Sequence, residues 1–324
     1  MGWPHGRWGG RTGGGPAPEP RRDRAGTCMR AGDALGEEAT MVEVKGLYHS
    51  YTNDEKYAVN DVSFTIERGQ IFGFLGPSGA GKSTTQAVVT GLLGLQKGAI
   101  VIDGEARAGQ PGKEFFNRIG VGFEKPNVYK KLSGLDNLRF HASLYDRETE
   151  DPQRLLDMVG LGAEGQKKAG AYSKGMMQRL GFARSMVNKP EIWFLDEPTM
   201  GLDPGTSQSI KNIIRNKRAE GTTIFLTTHN MFVADELCDL VAFIVDGSLV
   251  AVDTPKNLKL RFGQPTVTVE YRDNGELKSE QFQLNDSDKP RLQQFIGEHK
   301  VATIHSAEPS LEEIFMKLTG RGLE

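Results

Sequence analysis

The sequence predicts an α/β fold with a mixed, mainly parallel core sheet, an inserted helical subdomain and a small C-terminal α+β unit. Short β-rich runs alternate with helical stretches from Met41 onward, which is typical of a largely parallel sheet. Two Asp-Gly turns lie between apolar runs, so some antiparallel pairing is expected as well. Residues 127–188 carry helical patterns and no convincing strand pattern, which indicates a helical insertion.

Length and composition limit the function. The chain has 324 residues, enough for one large domain and a small one, with 37% apolar and 25% charged residues. Lys plus Arg number 40 against 42 for Asp plus Glu, so no nucleic-acid partner is expected from the charge. No apolar run reaches the ~18 residues of a spanning helix, so any membrane role is expected to work through another chain. The two distant cysteines, Cys28 and Cys238, favour a reducing compartment.

Residues 1–40 differ in composition from the rest of the chain. They hold 10 Gly, 4 Pro and six Arg without a periodic apolar pattern, so they are predicted to be a disordered extension. Five acids leave a net charge of only +1, which argues against a basic arm or a transit peptide. Patterned sequence begins at Met41, and we hypothesise that Met41 is the native start. The intact mass of natively expressed protein would test this hypothesis.

Apolar periodicity predicts the elements of a main domain over residues 41–262. Strands are predicted at residues 42–45, 62–66, 71–75, 100–102, 120–123, 192–195, 223–227 and 241–245. The turns Asp103-Gly104 and Asp246-Gly247 are predicted to form hairpins. Within the inserted block, helices are predicted at residues 135–145, 153–159 and 175–187.

Residues 263–324 are predicted to form the separate α+β unit. Strands are expected at 266–271, 280–284 and 301–305, and helices at 291–298 and 311–318. The residues of this unit offer no motif that points to a particular chemistry.

A glycine-rich segment at residues 76–83 predicts a phosphate-binding loop of the kind found in P-loop nucleotide hydrolases. An apolar run precedes it and a helical run follows it; its residues are Gly76, Pro77, Ser78, Gly79, Ala80, Gly81, Lys82 and Ser83. Glycines let backbone N–H groups surround phosphate oxygens, and the helix that follows presents its positive dipole end. Lys82 is expected to reach the β- and γ-phosphates, Ser83 to bind Mg²⁺, and Thr84 to complete the nucleotide-binding set.

Two acids follow the predicted strand at 192–195. Asp196 is expected at the carboxyl edge of the sheet, beside the phosphate loop, where ligands bind in open α/β folds. It is expected to hold Mg²⁺, and Glu197 to orient or deprotonate the water that attacks the γ-phosphate. An Asp-Glu pair on its own is more often a solvated strand end, but its place beside a phosphate loop favours the catalytic interpretation.

Further motifs resemble those of the ATP-binding-cassette ATPases. Residues 172–179, Tyr-Ser-Lys-Gly-Met-Met-Gln-Arg, resemble the signature motif of this family in the form common among bacterial exporter cassettes. Residues 196–204 resemble its Asp-Glu pair and D-loop, and residues 227–229, Thr-Thr-His, resemble its switch histidine. The tail at 308–315 resembles the ending of drug and antibiotic exporter cassettes. Apart from this tail, the resemblance spans Met41 to about Leu260.

The resemblance implies that ATP is sandwiched between two cassettes, with the phosphate loop of one facing the signature motif of the other. Ser173 and Gly175 would then contact the nucleotide bound by the partner cassette. Asp203, in the D-loop, is also predicted to be a nucleotide-binding residue. The local chemistry agrees, because a small hydroxyl and a glycine at the start of a helix suit an anion.

The resemblance also implies roles for a histidine and an aromatic residue. His229 would contact the γ-phosphate and link the nucleotide state to the position of its loop. Tyr51 resembles the aromatic residue that stacks on adenine, although Tyr48 and Tyr57 are nearby alternatives. The predicted catalytic residues are therefore Lys82, Glu197 and His229.

The chain departs from the family pattern after the strand predicted at 120–123. The family usually has glutamine there, and this chain has Glu124. A carboxylate can bind Mg²⁺ but adds negative charge near the phosphates, so Glu124 is predicted to be a metal ligand. Met200 and Lys174 also differ from the commoner residues, but these changes leave the catalytic residues intact.

The predicted function is ATP hydrolysis, with ATP and Mg²⁺ as cofactors, by the nucleotide-binding subunit of an exporter. Its expected partners are a separate membrane permease and a second cassette, in a homo- or heterodimer. The expected location is the cytoplasmic face of the plasma membrane, where the permease would hold the protein.

Two alternative functions are a soluble single-cassette ATPase of translation or repair, and a nucleotide-gated binding module without turnover. Glu197 and His229 argue against the second alternative, whereas Glu124 keeps it open.

Overall fold

The computed structural model describes residues 40–52, 56–107, 109–263, 266–273 and 275–322. The predicted disordered extension lies outside the described residues except for Thr40, which begins the first strand. Within these ranges, no helix has both the length and the hydropathy needed to cross a membrane.

The elements follow the predicted alternation of strands and helices. In chain order the strands are β1 (Thr40–His49), β2 (Val59–Glu67), β3 (Ile71–Leu75), β4 (Lys97–Ile102), β5 (Glu105–Ala106), β6 (Ile119–Gly122), β7 (Ile192–Asp196), β8 (Thr223–Thr228), β9 (Leu240–Val245), β10 (Ser248–Asp253), β11 (Thr266–Asp273), β12 (Glu276–Gln283) and β13 (Lys300–Ala307). The helices are α1 (Lys82–Val89), α2 (Lys113–Arg118), α3 (Gly134–Ala142), α4 (Pro152–Met158), α5 (Lys174–Arg184), α6 (Pro204–Ala219), α7 (Met231–Leu237), α8 (Pro255–Phe262), α9 (Lys289–Glu298) and α10 (Leu311–Thr319).

A six-stranded sheet in the order β10-β9-β3-β8-β7-β6 forms the centre of the fold. The neighbours from β9 to β6 are parallel, and β10 pairs antiparallel with β9. β3 and β8 are buried along their whole length, as expected for parallel strands that are covered on both faces. The Asp246-Gly247 turn joins β9 to β10 with positive φ at both residues, 47° and 80°. The predicted mixed, mainly parallel sheet is confirmed.

A second, antiparallel sheet in the order β2-β1-β4-β5 packs against one face of the central sheet. Phenylalanine rings fill the space between them: Phe64 of β2 lies 5.1 Å from Phe72 of β3 and 5.8 Å from Phe225 of β8. The predicted hairpin at Asp103-Gly104 joins β4 to β5 in this sheet. The sequence pattern did not predict that these antiparallel strands form a sheet of their own, because pairing partners depend on long-range packing.

The other face of the central sheet packs against the helices that follow β6 and β7. In the inserted block, α3, α4 and α5 each begin one residue before the predicted start. Ser133, Asp151 and Ser173 cap these starts, since each side chain accepts a hydrogen bond from the N–H group three residues on. Apart from an isolated bridge between Ser133 and Lys168, the described residues of the block contain no strand.

The C-terminal residues divide between two hydrophobic cores. The sheet β12-β11-β13 and α9 surround a small core of Val267, Val269 and Phe282. By contrast, α10 packs into the main core, where the Phe315 ring meets the Phe243 ring edge-on at 5.4 Å. The domain limits 41–262 and 263–324 remain a prediction, and α10 is the element that crosses the limit between them.

Candidate active site

A cleft of about 1140 Å³ opens where β3, β7 and β8 end. Ligands of open α/β sheets bind at this edge. The lining brings together most of the predicted site residues: Tyr51, Ser78, Gly79, Gly81, Lys82, Ser83, Thr84, Glu124, Asp196, Glu197 and His229.

The phosphate loop connects β3 to α1 in a conformation that requires glycine. A Cβ atom on Gly76 would lie 2.2 Å from the Ile244 carbonyl oxygen, and one on Gly81 would lie 2.4 Å from the Ala58 carbonyl oxygen. Gly81 also has a φ of 105°, which L side chains rarely adopt. No side chain caps the start of α1, so its first N–H groups are available to an anion.

Lys82 supplies positive charge to the cleft. Its ammonium donates hydrogen bonds to the carbonyl oxygens of Gly76 and Pro77, at 2.7 and 3.0 Å. Burial lowers the pKa of Lys82, while the charges of Glu197, Asp196 and Glu124 act in the opposite direction. The ammonium is thus held against the loop that it is predicted to serve, with the predicted carboxylates nearby.

Asp196 ends β7, and its carboxylate accepts a hydrogen bond from the Thr227 hydroxyl on the neighbouring strand β8. Glu197 follows with a φ of 48° and is only 7% exposed. Its Oε2 accepts from the Thr228 hydroxyl at 2.9 Å, and its Oε1 accepts from the His229 backbone N–H at 2.8 Å. Both oxygens of the buried carboxylate are therefore held from the end of β8.

The imidazole of His229 lies against the same carboxylate, with 2.6 Å between His229 Nδ1 and Glu197 Oε1. Because an ionised carboxylate can only accept, Nδ1 is the donor of this hydrogen bond, and Nε2 is the second polar atom of the ring. The structure therefore joins two of the three predicted catalytic residues directly.

Tyr51 lies in the cleft beside the helix that follows the phosphate loop. Its hydroxyl is 3.0 Å from the Thr84 hydroxyl, and its side chain is largely exposed. Tyr48 instead packs edge-on against Tyr57 at 5.3 Å, with the Lys97 ammonium over the Tyr48 ring. Of the three tyrosines weighed from the sequence, the structure brings Tyr51 into the lining.

Comparison with known proteins identifies the family. A family model described as ABC transporter matches residues 59–200. The chain is 50% identical over 285 residues to a fluoroquinolones export ATP-binding protein of Mycobacterium tuberculosis, an alignment covering 87% of this chain and 94% of that protein. The chain belongs to the ABC transporter ATP-binding proteins. Its predicted ATPase activity and cassette fold are confirmed.

Other relatives of this ABC cassette agree. It is 32% identical over 304 residues to Nod factor export ATP-binding protein I of Rhizobium johnstonii, which covers 87% of this chain and 96% of that protein. Among solved structures, an ATP-binding subunit of an ABC transporter has 28% identity and a TM-score of 0.63, covering 69% of this chain and 93% of the other. A dimeric cassette in a post-hydrolysis state, bound to ADP and Pi, has 26% identity and a TM-score of 0.60, covering 66% and 98%.

Besides Gly76, Pro77 and Ala80 of the phosphate loop, three predicted nucleotide-binding residues of the ABC cassette do not line the cleft of their own chain: Ser173, Gly175 and Asp203. Ser173 caps α5 by accepting from the Met176 N–H at 3.2 Å, and Asp203 caps α6 by accepting from the Thr206 N–H at 3.0 Å. Gly175 lies in the first turn of α5 and does not line the cleft. This placement is compatible with the expectation that they act on a partner cassette.

The structure also brings residues into the site that the sequence did not indicate. Thr227 and Thr228 each bind one of the two acids, and a signal for them was present in the polar pair that ends the apolar run of β8. Glu312 and Met316 line the cleft from α10. No local pattern could have placed them there, because that contact depends on how α10 returns to the main core.

Proposed function

We propose that this ABC cassette hydrolyses Mg-ATP in the cleft, with Lys82 and the phosphate loop on the phosphates. Ser83, Asp196 and Glu124 would hold the metal. The described residues contain no cluster of three or more His, Cys, Asp or Glu side chains able to hold a metal ion. This fits Mg²⁺, which is commonly bound by one or two carboxylates together with waters and substrate phosphates. When bound, the ion would neutralise charge on the phosphate oxygens.

The observation that carries the proposal is the fixed carboxylate of Glu197. A hydroxyl, a backbone N–H and an imidazole hold this carboxylate, and within the described residues no lysine or arginine forms a direct ion pair with it. A carboxylate of this kind can orient water and accept its proton. We assign the general-base role to Glu197, and to His229 the role of linking the γ-phosphate to that base.

A second cassette would complete the site. Ser173 and Gly175 start a helix whose N-terminal end suits an anion, yet neither lines the cleft of their own chain. We propose that they and Asp203 meet the nucleotide bound by the opposing cassette. Tyr51 would stack on the adenine base, since it lines the cleft beside Thr84, in the first turn of the helix that follows the phosphate loop.

The transport role is proposed from the relatives. The M. tuberculosis relative is named for the export of fluoroquinolones, and it matches most of both chains. We propose that this cassette binds a separate permease at the cytoplasmic face of the plasma membrane and powers the export of drug-like small molecules. The described residues contain no spanning helix, so the permease would supply the membrane path.

Glu197→Gln tests the catalytic part of the proposal. Turnover should fall by about 10²–10⁴-fold, because the amide cannot accept the proton, while ATP binding is retained. With ATP and Mg²⁺ the variant should accumulate as a dimer in size-exclusion chromatography. Glu191→Gln is the matched control, because Glu191 precedes the same strand at its opposite end. Unchanged turnover in Glu197→Gln would remove Glu197 from its assigned role.

Affinity capture tests the transport part. The tagged protein is purified from detergent-solubilised membranes of its native host, and the proteins bound to it are identified by mass spectrometry. We expect one polytopic membrane protein in stoichiometric amount. Recovery of ribosomes or DNA-repair factors instead would favour the soluble alternatives and would leave the ATPase assignment in place.

A further inference from the structure

We propose that Thr228 is a positioning residue for the general base, an inference that rests on the role proposed for Glu197. Thr228 is the last residue of β8 and is 0% exposed. Its hydroxyl donates to Glu197 Oε2 at 2.9 Å and accepts from the Asn230 backbone N–H at 3.0 Å.

The direction of these hydrogen bonds follows from the number of protons available. A hydroxyl has one hydrogen to donate, and a backbone N–H can only donate. Since the Asn230 N–H donates to the Thr228 oxygen, the hydroxyl hydrogen remains for Glu197. The two hydrogen bonds therefore do not compete, and each one supports the orientation of the other.

The contact matters because the Glu197 carboxylate would otherwise be free to turn. The terminal torsion of a glutamate side chain has a broad energy profile, so one held oxygen does not define the plane of the carboxylate. His229 holds Oε1 through its backbone N–H and its ring, and Thr228 holds Oε2. Thr228 thus supplies the second point that orients the carboxylate.

The same hydroxyl joins the base to the start of α7. Asn230 caps that helix, with its side-chain oxygen accepting from the N–H groups of Phe232 and Val233 at 3.1 Å. Phe232 is 71% exposed and lines the cleft. Through Thr228, the position of Glu197 is tied to the segment of α7 that borders the cleft.

Two other threonines of β8 show that the contact with Glu197 is specific to Thr228 and is not shared by every buried hydroxyl on the strand. Thr227 donates to Asp196, the proposed metal ligand, and not to Glu197. Thr223, at the opposite end of β8, is equally buried, and its hydroxyl accepts from the Gly69 N–H at 3.0 Å. Thr223 is therefore a matched control, with the same residue type, strand and burial but no contact with the site.

The test compares Thr228→Val, Thr228→Ser and Thr223→Val in the full chain, by steady-state ATP hydrolysis and thermal unfolding. We expect Thr228→Val to lower kcat about 10–100-fold, as misplacement of a reacting group does, with KM for ATP within about 2-fold. Thr228→Ser should restore kcat to within about 3-fold of the wild type, because it restores the hydroxyl. Thr223→Val should lower Tm to a similar degree but leave kcat unchanged.

The inference is overturned if Thr228→Val keeps full kcat, if Thr228→Ser is as slow as Thr228→Val, or if Thr223→Val is equally slow. Adding Thr228→Val to Glu197→Gln should change the residual rate by less than about 2-fold, since the residue acts through the base. Glu197→Gln alone separates the two proposals. If it is fully active, the base assignment fails; if it is inactive while Thr228→Val is fully active, the Thr228 inference alone fails.

Discussion

The two ends of the central sheet differ in the partners of their charged side chains. At the amino end, charged side chains pair with each other: Arg118 meets Glu191 at 2.8 Å, and Arg218 meets Asp239 at 2.8 Å. Asp239 also accepts from the Ile71 N–H at 2.9 Å, which anchors the start of β3. This end holds the strands together.

At the carboxyl end, hydroxyl and N–H groups hold the acids in place. Asp196 accepts from Thr227, and Glu197 accepts from Thr228 and His229. The described structure contains no ion pair between Lys or Arg and either acid. Neutral donors orient a carboxylate without cancelling its charge, so this end keeps negative charge available for a metal ion and a proton.

With the roles proposed above, the same strands serve stability at one end and chemistry at the other. Partner type, and not the number of charges, makes the difference. Substitutions at the carboxyl end should therefore change turnover, whereas substitutions at the amino end should change stability.

After Glu197→Gln, the largest effect is expected for Lys82→Met. Removing the ammonium that faces the phosphates should lower kcat/KM by about 100-fold or more, because it removes preorganised positive charge from the cleft. Lys217→Met is the matched control: Lys217 is also mostly buried, but it pairs with Glu150 at 3.4 Å and Glu220 at 2.9 Å near the amino end. A loss of turnover in Lys217→Met as large as in Lys82→Met would break the comparison.

Arg118→Leu should destabilise the fold by about 1–2 kcal/mol and leave kcat unchanged. This destabilisation is smaller than that expected when a fully buried ion pair is broken. Arg118 pairs with Glu191 and also with Asp103. In the variant Glu191 keeps its pair with Arg147 and Asp103 keeps its pair with Arg68, so the loss is limited to the contacts of Arg118 itself. Urea unfolding gives the stability, and ATP hydrolysis below the transition gives kcat. If Arg118→Leu lowered kcat and left the free energy of unfolding unchanged, the amino end of the sheet would not have the stabilising role given to it here.

Glu124→Gln should retain hydrolysis within about 5-fold, with a modest rise in the Mg²⁺ concentration needed for half-maximal rate, because an amide oxygen is a weaker ligand for Mg²⁺ than a carboxylate. The Glu124 backbone oxygen accepts from Gln178, and this contact survives the substitution. Rates are measured over a Mg²⁺ titration. Complete loss of turnover in the folded variant would show that the acid is specifically required.

The smallest effect is expected for Glu236→Gln. Hydrogen bonds from Lys211 lower the pKa of Glu236, and Arg215 adds to the effect. A carboxyl group with a lowered folded-state pKa stabilises the protein above its unfolded pKa, and that stability is lost as pH falls through the folded-state pKa. Glu236→Gln should thus be less stable by about 0.2–1 kcal/mol at pH 7. This difference should shrink as pH falls below the ordinary pKa of glutamate and vanish below the lowered pKa of the folded state. Thermal melts from pH 7 to pH 3 would show a constant difference if the pair were irrelevant.

Much of the site could be predicted because its motifs are contiguous. The phosphate loop and the acids after β7 each combine one strand with the residues that follow it, so the spacing in the chain is also the spacing in space. The sequence favours Tyr51 as the aromatic residue of the site but does not exclude Tyr48 and Tyr57, because ring packing decides which tyrosine faces the cleft. The sequence did not indicate a partner for Thr228, since Glu197 follows the neighbouring strand β7 and is 31 residues away in the chain.

The sequence by itself determined the parallel core, the phosphate loop, the acid pair and the helical insertion, because apolar period and turn chemistry act over a few residues. Only the tertiary structure decided that β1, β2, β4 and β5 form a separate sheet, and that α10 leaves its neighbouring strands to border the cleft. It also decided which donors hold Glu197. These outcomes depend on packing and hydrogen bonds between distant segments, which local patterns do not specify.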